Sequence, residues 1–223
     1  MKKTVFFIPL LLLSSCQKAL PKPEVIDGFW GQFGIDKNIN VFPLSESDTS
    51  STLDKHLNRK DTVYFDMRML VDPANYEAIG GDRFLSGFIK GFKAFGYPYI
   101  APLGDLPPEI GEGYNGPTLF SYDESTSKYL PNYKESLNII SEVFPTDKYI
   151  FVMCGGGGYA QWTKEFLINL GYDEQKIYNV GCYWNYVGPN DVPVKETNED
   201  GLVTYAFHRV SKINIVFEEL HAL

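Results

Sequence analysis

The sequence predicts one α/β domain: a central, mostly parallel sheet with helices on both faces and a C-terminal strand extension. Three observations carry that expectation. Lys148 to Met153 is a continuous apolar run bounded by a glycine cluster, as a strand buried on both faces requires. After the glycines the period changes: Trp162, Phe166, Leu167 and Leu170 recur at helical spacing, and Gly171 stands where a residue just past a helix end belongs. Strand and helix patterns then alternate along the chain, which favours parallel strands joined by helical crossovers. With 223 residues, 44% of them hydrophobic and 15% aromatic, the chain has enough apolar surface for one well-filled core. That composition excludes disorder throughout.

The elements follow in order. Residues 1–15 lie outside the fold: Lys2 and Lys3 give a positive start, and Val5 to Leu13 form an apolar run too short to span a bilayer. Leu13-Ser14-Ser15-Cys16 closes this stretch and resembles the lipobox of bacterial lipoproteins. The resemblance implies cleavage before Cys16, acyl lipid on its thiol, and export to a bacterial cell membrane or outer membrane surface. Residues 16–30 are then a lipidated tether, proline-containing and without apolar period at its start, and residues 31–223 form the domain. Thr62 to Phe65 reads as a strand running into Asp66-Met67-Arg68. Residues 97–132, rich in proline, glycine and tyrosine, read as a long ordered loop with one short strand near Leu119 to Tyr122. Tyr133, Leu137, Ile140 and Phe144 mark a helix that Pro145 closes. Lys176 to Val180 is the next strand, ended by Gly181. Residues 188–201 read as polar turns, and residues 202–217 alternate as one or two added strands.

Function concentrates in Met153-Cys154-Gly155-Gly156-Gly157-Gly158-Tyr159-Ala160, where a strand ends, glycines turn the chain and a helix begins. Glycines let successive N–H groups point inward, and a helix N-terminus adds positive partial charge, so the segment reads as an anion cradle. A thiol held there is expected to have a lowered pKa, because the same donors stabilise a thiolate.

These residues, with others in order, resemble the rhodanese-like domain. Thr62 to Arg68 is similar to the family's first strand and its Asp-x-Arg motif, and Tyr76 follows as an aromatic does there. Gly87-Phe88-Ile89-Lys90-Gly91 is similar to a Gly-His-Ile-x-Gly segment, and Cys154 to Ala160 occupies the active-loop position. Leu170-Gly171-Tyr172 and Ile177-Tyr178-Asn179-Val180-Gly181-Cys182-Tyr183-Trp184 resemble the closing helix end and the closing strand with its Gly-Gly-x-aromatic turn. The likeness spans residues 50–187. It implies that Cys154 attacks a sulfane-sulfur donor, holds a persulfide and passes the sulfur to a thiol or other nucleophilic acceptor. Gly155, Gly156, Gly157, Gly158, Tyr159 and Ala160 would supply the cradle, with Asp66 and Arg68 as a fold motif.

Departures from the family shape the expectation. Sulfurtransferases of this family commonly carry an arginine where this chain has Tyr159, and Phe88 replaces the histidine. A related loop phosphatase needs an arginine at the position of Ala160. The net charge of −8 gives no footprint for nucleic acid and no field to draw in an anionic donor. Two alternatives to sulfur transfer therefore stand: a non-catalytic module that binds an anion or a partner at this loop, and an exported thiol–disulfide protein using Cys154 and Cys182. Cys182 reads either as a small buried residue or as a second thiol. Arg83, beside Asp82, reads as a solvated ion pair, and the tyrosines of residues 97–132 as satellite core. His56, His208 and His221 lack ligand spacing, so no metal is expected, and no nucleotide or other cofactor motif occurs.

Overall fold

The computed structural model describes residues 18–25, 33–69, 87–102, 114 and 116–223. Cys16, Tyr76, Asp82 and Arg83 lie outside the described residues, as does the signal-like segment 1–15. Four strands make a parallel sheet: β1 (Thr62–Asp66), β3 (Lys93–Ala94), β6 (Tyr149–Cys154) and β7 (Ile177–Cys182), in the order β3-β1-β6-β7. Among the described residues, three α-helices accompany it: α1 (Tyr97–Ile100), α2 (Ser136–Val143) and α3 (Gly158–Asn169). None is long and apolar enough to cross a membrane.

The alternation of strand side chains builds two cores. Phe65, Ile150, Val152, Cys154 and Ile177 face one side, where Ile140 and Val143 of α2 and Tyr159, Ala160, Phe166 and Leu167 of α3 pack on them. Tyr64, Phe151, Met153, Tyr178 and Val180 face the other. Among the described residues all three α-helices contribute to the first core, and no α-helix residue stands in the second. The second core is closed by Ile39, Val41 and Leu53 and by the aromatic rings of Phe92, Tyr183 and Tyr186. That covering segment satisfies its backbone without a helix. The Asp36 carboxylate accepts from the N–H groups of Asn38 (2.9 Å) and Ile39 (2.6 Å), and Leu53 begins a single 3-10 turn to His56. Its main chain also covers the free edge of β7: Asp36 N–H donates to the Asn179 carbonyl and Val41 N–H to that of Val180.

Other segments refine the sequence expectations. Residues 97–132 contain α1 and a hairpin of β4 (Phe120–Asp123) and β5 (Lys128–Pro131), one strand more than the sequence indicates. Leu137 of α2 is 55% exposed and stands outside the core that its spacing suggested. The polar stretch 188–201 holds β8 (Asp191–Pro193), paired antiparallel with β2 (Gly87–Ile89), and β9 (Lys195–Thr197). β10 (Val203–Tyr205) pairs antiparallel with β9, so the strand extension begins earlier and ends sooner than alternation predicts. Short edge strands need only one covered face, and their polar composition hides them.

Candidate functional site

The C-terminal ends of β1, β6 and β7 meet at one edge of the parallel sheet, where ligand crevices form in open α/β folds. β6 ends at Cys154, three glycines carry the turn, and α3 starts at Gly158. Gly157 is the N-cap with φ +95°, a conformation that favours glycine, and its N–H donates to the Cys154 Sγ at 3.0 Å. The amides of Ala160 and Tyr159 also act on this sulfur. The cradle expected from Gly155 to Ala160 is therefore formed chiefly by Gly157, Tyr159 and Ala160. Gly155 instead accepts from the Trp184 N–H (3.5 Å), and Gly156 lies under the Trp184 indole, where an added Cβ would stand 3.2 Å from the ring.

The expected lowering of the thiol pKa is not found. Cys154 is 3% exposed, and burial pushes its pKa up; the Asp66 carboxylate pushes in the same direction, while the three amides oppose them. Burial wins because a desolvated thiolate loses more than a few amide donors return.

Asp66 and Arg68 occupy the neighbouring strand end. Arg68 Nε lies 2.9 Å and 3.0 Å from the two Asp66 carboxylate oxygens, and its Nη2 also donates to the Gly87 carbonyl at 3.0 Å. The guanidinium sits 4.1 Å from the centre of the Tyr183 ring, whose hydroxyl donates to Asp191 Oδ1 at 2.8 Å. Both Asp66 and Arg68 are buried, and Cys154 acts electrostatically on the guanidinium. Asp66 and Arg68 thus form a buried ion pair at the end of β1. The pair also borders the thiol, where the Arg68 charge is balanced by Asp66.

Tyr159 is 6% exposed, and its hydroxyl has no hydrogen-bond partner among the described residues. Its ring stacks on Tyr97 (centroids 5.9 Å apart) and approaches Trp162. Tyr97 is itself buried and shares a 3.4 Å contact between hydroxyls with Tyr129. The wall beside the thiol is therefore aromatic. Tyr97 and Tyr129 serve as core, as expected.

Cys182 stands directly opposite Cys154 in the β6–β7 register. Both thiols are buried and free. Burial, and then the neighbouring Cys154, push the Cys182 thiol up to about 12. Asn179, which no sequence motif marks, ties the site together: its Nδ2 donates to the carbonyls of Phe33 (2.6 Å) and Gly157 (3.1 Å), and its Oδ1 accepts from Gly181 N–H (3.0 Å). An amide inside the apolar run Ile177-Tyr178-Asn179-Val180 was the available signal. Among the described residues no three His, Cys, Asp or Glu side chains gather into a set that could hold a metal ion. No family model matches the chain, and no curated protein matches it.

Proposed function

We propose that this chain is an exported, lipid-anchored, rhodanese-like protein that moves sulfane sulfur through a persulfide on Cys154. The observation that carries the proposal is the strand–Cys–glycine–helix geometry, with the Gly157 N–H aimed at Sγ at 3.0 Å. A persulfide is an anion at neutral pH, and amide donors at a helix start favour it over a neutral thiol. In the reaction the Cys154 thiolate attacks the sulfane sulfur of a donor. The donor's sulfur–sulfur bond breaks, and its leaving group departs with the electron pair; any organic thio group still on the transferred sulfur is removed by a thiol as a disulfide, leaving the persulfide. A thiol acceptor then attacks the outer sulfur of the persulfide and returns Cys154 as thiolate.

The surroundings favour an uncharged donor such as an organic polysulfide over thiosulfate. Arg68 is balanced by Asp66, Tyr159 brings an aromatic ring, and the chain carries a net charge of −8. The lipobox-like Leu13 to Cys16 supports anchoring at a membrane surface. One observation favours a non-catalytic binding module instead: a thiol 3% exposed with a raised pKa is a poor nucleophile at rest.

Intact mass decides between the two readings. The full chain in detergent, given an organic trisulfide, is expected to take up one sulfur with an alkylthio group at Cys154; an added thiol then removes that group as a disulfide and leaves a gain of about 32 Da, the mass of one sulfur. Cys154→Ser is expected to gain nothing, and Cys16→Ser to keep the activity while leaving the membrane fraction. No adduct on the wild-type chain, and no transfer to a thiol, would leave the binding module as the function.

A further inference from the structure

Between Val152 and Met153 the β6–β7 register shifts: Val152 pairs with Asn179, Met153 with Gly181 and Cys154 with Cys182. Without the extra residue, Cys154 would face Gly181, and Cys182 would point to the opposite side of the sheet. A one-residue slip flips every following side chain, so this bulge turns Cys182 onto the Cys154 face. Gly181, at φ +107°, supplies the conformation the bulge needs. Adjacent strands run about 4.8 Å apart, and disulfides bridge Cα atoms about 4.4–6.8 Å apart. Register partners in parallel strands also point the same way. The register thus places the two Cα atoms within the range that a disulfide bridges, with both side chains on one face.

We propose that Cys182 is the resolving thiol of Cys154, so that the two strand ends form a dithiol–disulfide redox site. This rests on the sulfur-transfer reading only in making Cys154 the residue that first takes the adduct. When Cys154 carries a persulfide, the Cys182 sulfur attacks the Cys154 Sγ. The bond from Sγ to the outer sulfur breaks, and hydrosulfide leaves with the electron pair, taking up the proton that Cys182 loses. Two thiol sulfurs are oxidised to one disulfide while the sulfane sulfur is reduced to sulfide. A thiol reductant, itself oxidised to disulfide, restores the pair. The site is then a sulfane-sulfur reductase that releases sulfide, in addition to a carrier that hands sulfur on.

Two probes test it on the full wild-type chain, each read by intact mass and peptide mapping after thiol alkylation. Diamide places a leaving group on one thiol for the other to displace. The expected result is loss of about 2 Da and a cross-linked peptide joining Cys154 to Cys182. Inorganic polysulfide is expected to give the same cross-link with one sulfide released per chain, whereas Cys182→Ser retains about 32 Da on Cys154. A stable persulfide on the wild-type chain, equal to that on Cys182→Ser and without cross-link, overturns the resolving role and leaves sulfur transfer standing. A diamide cross-link without any polysulfide adduct on either chain keeps the redox pair and removes the sulfur-transfer reading. Absence of the cross-link with diamide overturns the pair. The cross-link is read on the wild-type chain, so a poorly folded variant does not obscure it.

Discussion

At the scale of single residues, the site depends on groups that satisfy one another out of water. Asn179 is the clearest case, because one fully buried amide serves Phe33, Gly157 and Gly181 at once. Asn179→Ala leaves the Gly181 N–H without that acceptor and loosens the turn whose N–H holds Cys154 Sγ. A buried polar group deprived of its partner costs about 1–3 kcal/mol. The expected outcome is a drop of that size in urea-unfolding stability, together with faster alkylation of Cys154. Asn138→Ala, on the exposed face of α2 where the amide donates to Glu142, should stay within about 0.5 kcal/mol of wild type. Equal losses from both variants would mean that Asn179 is not a structural clasp. The importance of Asn179 was barely legible in the sequence, since an isolated asparagine in a strand names no partners. Cys154 was legible because its neighbours change so sharply, from apolar run to glycines to helix. Its raised pKa was not, because glycine and helix patterns reveal amide donors and not the depth of burial.

At the scale of elements, the parts visible in the sequence were those with a strong period and a marked end. α3 ends as its sequence suggests: Gly171 N–H donates to the Ile168 carbonyl and Tyr172 N–H to that of Leu167, the paired bonds of a Schellman close. β1 and β6 also fall where the apolar runs place them. β7 runs on through Gly181 to Cys182, because a glycine that looks like a stop serves as a bulge. The covering segment 35–57 had no period to read, since it is held by side-chain caps and by the edge of β7. Two glycines at the ends of α3 allow conformation to be separated from chemistry. Both have strongly positive φ, +95° at Gly157 and +92° at Gly171. Nothing lies within 4 Å of a Cβ built on Gly171, whereas on Gly157 it would stand 3.2 Å from Ile35 Cδ1 and Phe33 Cβ. Gly171→Ala should therefore show only the left-handed penalty, about 1–2 kcal/mol, with unchanged Cys154 alkylation. Gly157→Ala should lose more stability than that and should also alter the reactivity of Cys154. If Gly171→Ala changed the thiol as much, the cradle would not be set by the N-terminal turn of α3.

At the scale of the whole molecule, several buried acids share one direction of shift. Cys154 and Cys182 are both pushed up by burial, and so are the phenols of Tyr97, Tyr159, Tyr178 and Tyr186. An acid whose pKa is higher in the folded chain keeps its proton after the unfolded chain has lost it. Below the unfolded thiol value of 9.0 both states are protonated, and these groups leave stability unchanged. Above it the unfolded chain binds fewer protons, so stability falls as pH rises. Each buried thiol contributes a slope of about 1.4 kcal/mol per pH unit in that window, and for Cys182 the window runs up to about 12. Lys164, whose pKa burial lowers, works against this trend as a single group. Urea midpoints should thus be level from about pH 7 to 8.5 and decline steeply from about pH 9. The thiols titrate before the phenols, so replacing both Cys154 and Cys182 by alanine should move the onset upward by about one pH unit, to the tyrosine range near 10. Oxidation to the Cys154–Cys182 disulfide removes the same two protons and should move the onset equally. Midpoints level to pH 11 in the wild-type chain would show that the thiols are solvated and would also undercut the buried site. An alkaline limb that shifts with alanine and with diamide alike would tie the redox state of two residues to the stability of the entire domain.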